Sequence, residues 1–179
     1  RDNPYAIWND AGDRVLVATW NDTPDAYPAG RTVTIGEEAV WVFSGAELKA
    51  WYGQNSQGVT DWHLRLCQLI GLPPATDYDS VTLLWVDPGE LVRPAYDPDI
   101  TSGEMSTLSG DDWFRGWFAR NEAASYGEGG YPWTRLGYTY DWADNGTEYG
   151  LTEFIIKPGA TAAVEQTMPT DAYLAQLAG

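Results

Sequence analysis

Hydrophobic and polar positions change period several times along the chain, and each change marks an element. Arg14 to Thr19 (RVLVAT) alternates with the two-residue period of a strand, and Trp20 can extend it. Arg31 to Ile35 and Ala39 to Phe43 read as two more strands joined around Gly36-Glu37-Glu38. The period then lengthens. Ser44, with Glu47 three residues on, forms a capping box that opens a helix running to Tyr52. Thr60 caps a second helix, Asp61 to Ile70, which Gly71 and Pro73-Pro74 close. Val81 to Val86 (VTLLWV) is nearly continuous apolar sequence, as a central strand covered on both faces would be. A third helix starts at Ser109 or Gly110, and Trp113, Phe114, Trp117 and Phe118 form its apolar stripe. Thr161 to Glu165 is a further short strand, and Thr170 caps a last helix, Asp171 to Ala178.

Two alternating runs, Thr134 to Trp142 and Thr147 to Ile156, flank Asn145-Gly146, the strongest short hairpin signal. Strands and helices do not alternate regularly over the whole chain. The expected architecture is therefore α+β in one domain spanning 1–179. It has a mostly antiparallel, twisted sheet with a hairpin (134–142/147–156), and three to four helices pack on that sheet.

A two-residue type I′ turn at Asn145-Gly146 sets a register. Trp142 then faces Tyr149, Tyr140 faces Leu151, Tyr138 faces Glu153 and Leu136 faces Ile155. Glu153 falls on the apolar, aromatic face, while Arg135, Thr139, Asp141 and Thr152 fall on a wetter one. A carboxylate among rings must be paired, hydrogen-bonded or protonated, and such groups are enriched at functional sites. The plainer alternative is a structural Glu153–Tyr138 hydrogen bond. A slip of one residue would send Glu153 to the other face.

Charge narrows the partners. Twenty-six acidic against ten basic residues give −16, with Lys49 and Lys157 the only lysines. That balance excludes phosphate-backbone binding and attraction to an anionic membrane surface, and leaves a basic protein partner open. No apolar run reaches membrane-spanning length. Arg1 in place of Met gives the expectation of a processed, secreted product.

Ten tryptophans and eleven tyrosines are unusual in this length, and aromatic cross-strand pairs in a β-rich core account for most of them. Two or three of the rings are expected to stack on a sugar or planar heterocycle. The candidates are Trp133, Tyr138, Tyr140 and Trp142, with Asp141 or Glu153 as polar partners. Cys67 and the sole histidine, His63, lie at i and i+4 on the second helix with no third ligand in reach. Cys67 thus reads as a small buried hydrophobe, not a metal ligand or nucleophile. Asp97 and Asp99 lack the ligand pattern of an EF-hand loop and read as solvated loop carboxylates. No metal and no permanently bound cofactor are expected. Without G-x-S-x-G, HExxH, CxxC or a Walker motif, enzymatic chemistry falls to carboxylates and aromatic rings, with an arginine, at a glycosidic or similar centre.

One segment, Tyr149 to Thr161 (YGLTEFIIKPGAT), resembles the strand that carries the catalytic glutamate of ADP-ribosyltransferase-fold enzymes. In those a Glu is followed by apolar residues, a Pro-Gly turn and a small residue. The resemblance implies NAD as substrate. Glu153 would hold the ribose hydroxyls and favour an oxocarbenium-like state as nicotinamide leaves, with Arg135 or Arg93 as the arginine. Leu151 stands where many such enzymes have Glu or Gln, and no Ser-Thr-Ser strand is present. Three classes of function are thus expected. They are an NAD glycohydrolase or ADP-ribosyltransferase-like enzyme, a carbohydrate-binding or carbohydrate-cleaving protein, and an acidic inhibitor or immunity-type protein.

Overall fold

A computed structural model describes residues 3–104, 106–131 and 133–179. Arg1, on which the secretion expectation turns, lies outside them. The strands are β1 (Val15–Asn21), β2 (Thr32–Thr34), β3 (Val40–Phe43), β4 (Ser80–Val86), β5 (Leu91–Val92), β6 (Tyr138–Tyr140), β7 (Tyr149–Ile156) and β8 (Thr161–Pro169). The helices are α1 (Gly45–Asn55), α2 (Trp62–Ile70), α3 (Asp112–Tyr126) and α4 (Thr170–Ala178). The class is α+β with antiparallel strand pairing, as expected. The chain forms two compact units: Arg1–Gly58, Asp77–Leu91 and Phe154–Gly179 make the first, Val59–Thr76 and Val92–Glu153 the second.

In the first unit the strand order is β2-β8-β4-β1-β3. β4 is the central strand anticipated from VTLLWV. Its full length pairs antiparallel with β1, from Val15↔Val86 to Asn21↔Ser80, and its other edge pairs with β8. The two strands flanking Gly36 do not pair with each other, because β2 joins β8 and β3 joins β1. Ser44 caps α1 by accepting from the Glu47 N–H at 3.2 Å. α1 packs on β1 and on α4, which also covers β4. Thr170 is not the cap of α4. Its hydroxyl accepts the Trp20 indole N–H at 2.8 Å, leaving that helix without a side-chain cap.

The second unit holds α2, α3, β6 and β7 as far as Glu153. Asp61, rather than Thr60, caps α2 by accepting from the Leu64 N–H, and Gly71 ends the helix at φ 74°. The last turn of α2 fastens β6. The Thr139 hydroxyl donates to the Leu69 carbonyl at 2.7 Å and accepts from the Leu151 N–H at 2.8 Å. Trp142 donates its backbone N–H to Gln68 O and its indole N–H to Leu72 O. A Cβ at Gly150 would collide with the Thr139 hydroxyl and the Leu69 carbonyl, so this crossing admits only glycine. Asp111 caps α3, which continues to Tyr126 and buries Phe114, Trp117 and Phe118.

The hairpin is present, but in a different register. Tyr138 pairs with Thr152 and Tyr140 with Tyr149, with an irregularity between them. The expected Tyr138–Glu153, Tyr140–Leu151 and Trp142–Tyr149 pairs therefore do not form, and Leu136 bridges Ala95 instead of facing Ile155. Two local causes shorten the first strand to three residues. Before it, Arg135 and Gly137 take left-handed φ values of 60° and 83°, which no strand accommodates. After it, Trp142 is drawn to the end of α2, and the Asp141 N–H donates to Glu148 O to close a longer loop. Asn145-Gly146 sits inside that loop and is not a two-residue turn. The slip turns Thr139 and Asp141 inward and leaves Tyr138 and Tyr140 half-buried. On β7 the alternation runs as anticipated: Leu151, Glu153 and Ile155 are all buried.

Candidate functional site

Glu153 sits on β7 between two fully buried aliphatic neighbours on its face, with 7% of its surface accessible. Both ends of the residue are held by the chain between Trp133 and Gly137. Its backbone N–H donates to the Gly137 carbonyl at 3.1 Å, and its carboxyl Oε1 accepts the Trp133 indole N–H at 3.2 Å. Trp133 is itself buried, edge-on to Trp117 (centroids 5.6 Å apart, 77°) and tilted against Phe118 (5.0 Å). One neutral donor does little to replace the hydration a carboxylate loses on burial. Burial therefore dominates, the indole opposes it only weakly, and the carboxyl is pushed up from 4.5 to about 8. At neutral pH Glu153 is a neutral acid carrying a proton.

The turn that delivers Trp133 is tied at several points. The Thr134 hydroxyl donates to Tyr138 O and accepts from the Leu136 N–H. Arg93 donates to Leu136 O at 2.8 Å and lies directly beneath Gly137. Tyr126, at the end of α3, donates its hydroxyl to Trp133 O.

The other residues singled out from sequence are distributed around this centre. Arg135 is paired with Glu122 and lies over the rings of Tyr126 (4.7 Å) and Tyr96 (5.7 Å). Its Nε is buried without a hydrogen-bond partner. Tyr138 packs on Tyr149, the most exposed large apolar side chain among the described residues (67%), with ring centroids 4.7 Å apart. Trp142 packs edge-on against Tyr131. Tyr140 is half-buried on β6, above Gly71. Asp141 is 1% exposed and meets Arg65 through two bonds, at 2.9 and 2.6 Å. It also accepts from Asn145 Nδ2 and from the Ala143 N–H.

Of the sequence-derived set, then, Glu153 and Trp133 are brought into contact, while Arg135 and Asp141 are each engaged with a charge of their own. Arg65, Glu122 and Tyr126 escaped notice in the sequence. Arg65 left one trace, a lone cation in the apolar run Leu64 to Ile70. Glu122 and Tyr126 lie at i and i+4 on one face of α3.

Two weaker candidates resolve into local structure. Cys67 Sγ lies 3.9 Å from His63 Nδ1, but burial, with Asp61 adding to it, pushes the thiol up and away from the thiolate form a nucleophile needs. Asp97 and Asp99 accept bonds from backbone N–H groups two residues on, and Asp99 also takes the Thr101 hydroxyl. Among the described residues no group of three or more His, Cys, Asp or Glu side chains is placed to hold a metal ion. No helix among them is long and apolar enough to cross a membrane. No protein family, curated protein or solved structure matches the chain.

Proposed function

We propose that this protein is a small enzyme that cleaves a glycosidic or N-glycosidic bond, with Glu153 as its proton donor. The supporting observation is a buried glutamic acid between aliphatic neighbours, hydrogen-bonded by one indole, that keeps its proton to about pH 8. A carboxyl raised by an apolar setting against a tryptophan is the acid half of glycoside hydrolysis. In the proposed step the Glu153 proton passes to the departing oxygen or nitrogen as its bond to the anomeric carbon breaks. Water adds to that carbon, and the proton it releases restores the acid.

The likeness of the Glu153 strand to ADP-ribosyltransferase-fold enzymes favours NAD as one substrate to try. Nicotinamide departs without needing a proton, so Glu153 would serve there as a carboxylate facing the ribose. The two substrates thus call for opposite protonation states of one residue, and pH separates them. Purified protein and Glu153→Gln are assayed from pH 5 to 9 on NAD and on a panel of oligosaccharides. Acid catalysis gives glycoside cleavage that falls as pH rises through 8, whereas the NAD role gives nicotinamide release that climbs over the same range. Both are lost in Glu153→Gln with its fold intact. No turnover of either class, turnover retained in Glu153→Gln, or nicotinamide release that climbs with pH rejects Glu153 as the proton donor.

A second reading, a binding protein for a basic partner, draws support from the charge of −16. It also draws on the engagement of Arg65, Arg115 and Arg135 in internal ion pairs. Exposed Asp22 and Asp77 flank Tyr78 and, after burial, help to hold its phenol up. Such binding would weaken steeply with salt, which titration calorimetry in 50 and 500 mM NaCl (about 14 and 4 Å screening lengths) reads directly.

A further inference from the structure

The segment from Trp133 to Gly137 is costly backbone. Arg135 is the one non-glycine among the described residues with positive φ, and Gly137 follows two positions later at φ 83°. A bulky residue in the left-handed region persists only where its surroundings over-determine it. Those surroundings are visible. The Arg135 guanidinium bonds Glu122 and covers the Tyr126 ring at 4.7 Å, and the Tyr126 hydroxyl is bonded to the Trp133 carbonyl. α3 thus grips the turn at two points, two residues apart. The outcome of this arrangement falls on one residue: Trp133 supplies the N–H on the Glu153 carboxyl and Gly137 the carbonyl on its backbone N–H.

We propose that Arg135 is a positioning residue for Glu153, fixing the left-handed turn that sets the Trp133 indole on its carboxyl. Arg135 does not touch the carboxyl; it acts through Tyr126 and Trp133. Its Nε is left buried and unbonded because the guanidinium is oriented by Glu122 and the two rings. The inference deepens the role proposed for Glu153, yet its test reads a hydrogen bond and not turnover, so the two can fail separately.

The test is the Trp133 indole resonance in 1H–15N NMR spectra between pH 6 and 9.5, assigned by its disappearance in Trp133→Phe. In the parent protein this resonance should move with ionisation of Glu153, and lose the movement in Glu153→Gln. Arg135→Gln removes the charge, and Arg135→Gly removes the side chain while suiting the positive φ; retention of the fold in each is read from the other resonances of the same spectra. In both, the titration of the indole should shrink at least twofold, with partial recovery in Arg135→Lys. A full-amplitude titration in Arg135→Gly or Arg135→Gln, with only the melting temperature lowered, would leave Arg135 a purely structural residue and overturn the proposal.

Discussion

Asp141 and Glu153 belong to the same hairpin and are buried to nearly the same degree, 1% and 7% exposed, yet they are treated in opposite ways. Asp141 has a bidentate guanidinium, an amide and a backbone N–H on its two oxygens. Glu153 has one indole. Burial by itself therefore does not decide what a carboxyl does; the donors around it do. A fully partnered carboxylate locks a loop to a helix, and the chemistry of its charge is spent on structure. A carboxyl with one neutral donor stays protonated and keeps a proton to give.

The largest effect should come from stranding the locked carboxylate. Arg65→Met leaves Asp141 buried without its counter-ion and should cost about 3–5 kcal/mol in urea unfolding. Adding Asp141→Leu should recover part of that, because the uncompensated charge goes with it. A cost under about 1 kcal/mol in the single variant would rank the pair with exposed ion pairs and remove the contrast with Glu153.

The unlocked carboxyl should show itself through pH. Its folded-state value of about 8 lies above the ordinary 4.5. Between those values the unfolded chain has lost a proton that the folded protein retains. Stability is therefore unaffected by Glu153 below the lower value and falls as pH rises toward 8, by up to about 1.4 kcal/mol per pH unit. Glu153→Gln removes this slope, so its stability relative to the parent should grow from pH 5 to pH 8. A difference that stays flat over that range would mean that Glu153 ionises normally.

Smaller effects test the frame of the site. Gly137→Ala places a Cβ at φ 83° and 2.5 Å from Arg93 Nε, and should destabilise by about 1–3 kcal/mol. An unchanged denaturation midpoint would show that the turn is not held as tightly as its bonds imply. Trp133→Phe keeps a ring against Trp117 and Phe118 but removes the N–H. It should cost about 1 kcal/mol and raise the Glu153 midpoint further, since the indole is the group that favours the charged form. A lowered midpoint would mean that another donor governs the carboxyl.

Much of the fold was legible in periodicity and capping. RVLVAT, VTLLWV and the Ser44/Glu47 box each became the element they signalled. That Leu151, Glu153 and Ile155 share one face was legible too, because alternation within one strand is a local property; that this face stays buried when the register slips was not. What lies opposite was not legible. Register depended on Trp142 reaching the end of α2, on Arg65 claiming Asp141 across 76 positions of sequence, and on a non-glycine taking φ 60°. An arginine carries no sequence mark of that conformation. Asn145-Gly146, a strong local hairpin signal, was overridden by these distant partners. For the same reason Trp133 reads from sequence as one of the stacking rings. Its contact with Glu153 arises from the turn and not from pairing along the ladder.

The most direct measurement is the titration of the Glu153 side-chain carboxyl carbon by NMR in protein labelled with 13C-glutamate, its signal assigned by loss in Glu153→Gln. A midpoint near 8 is predicted, with the acid predominantly protonated at neutral pH. A midpoint near the ordinary 4.5 would contradict it, leaving the protein without the proton on which its proposed chemistry depends.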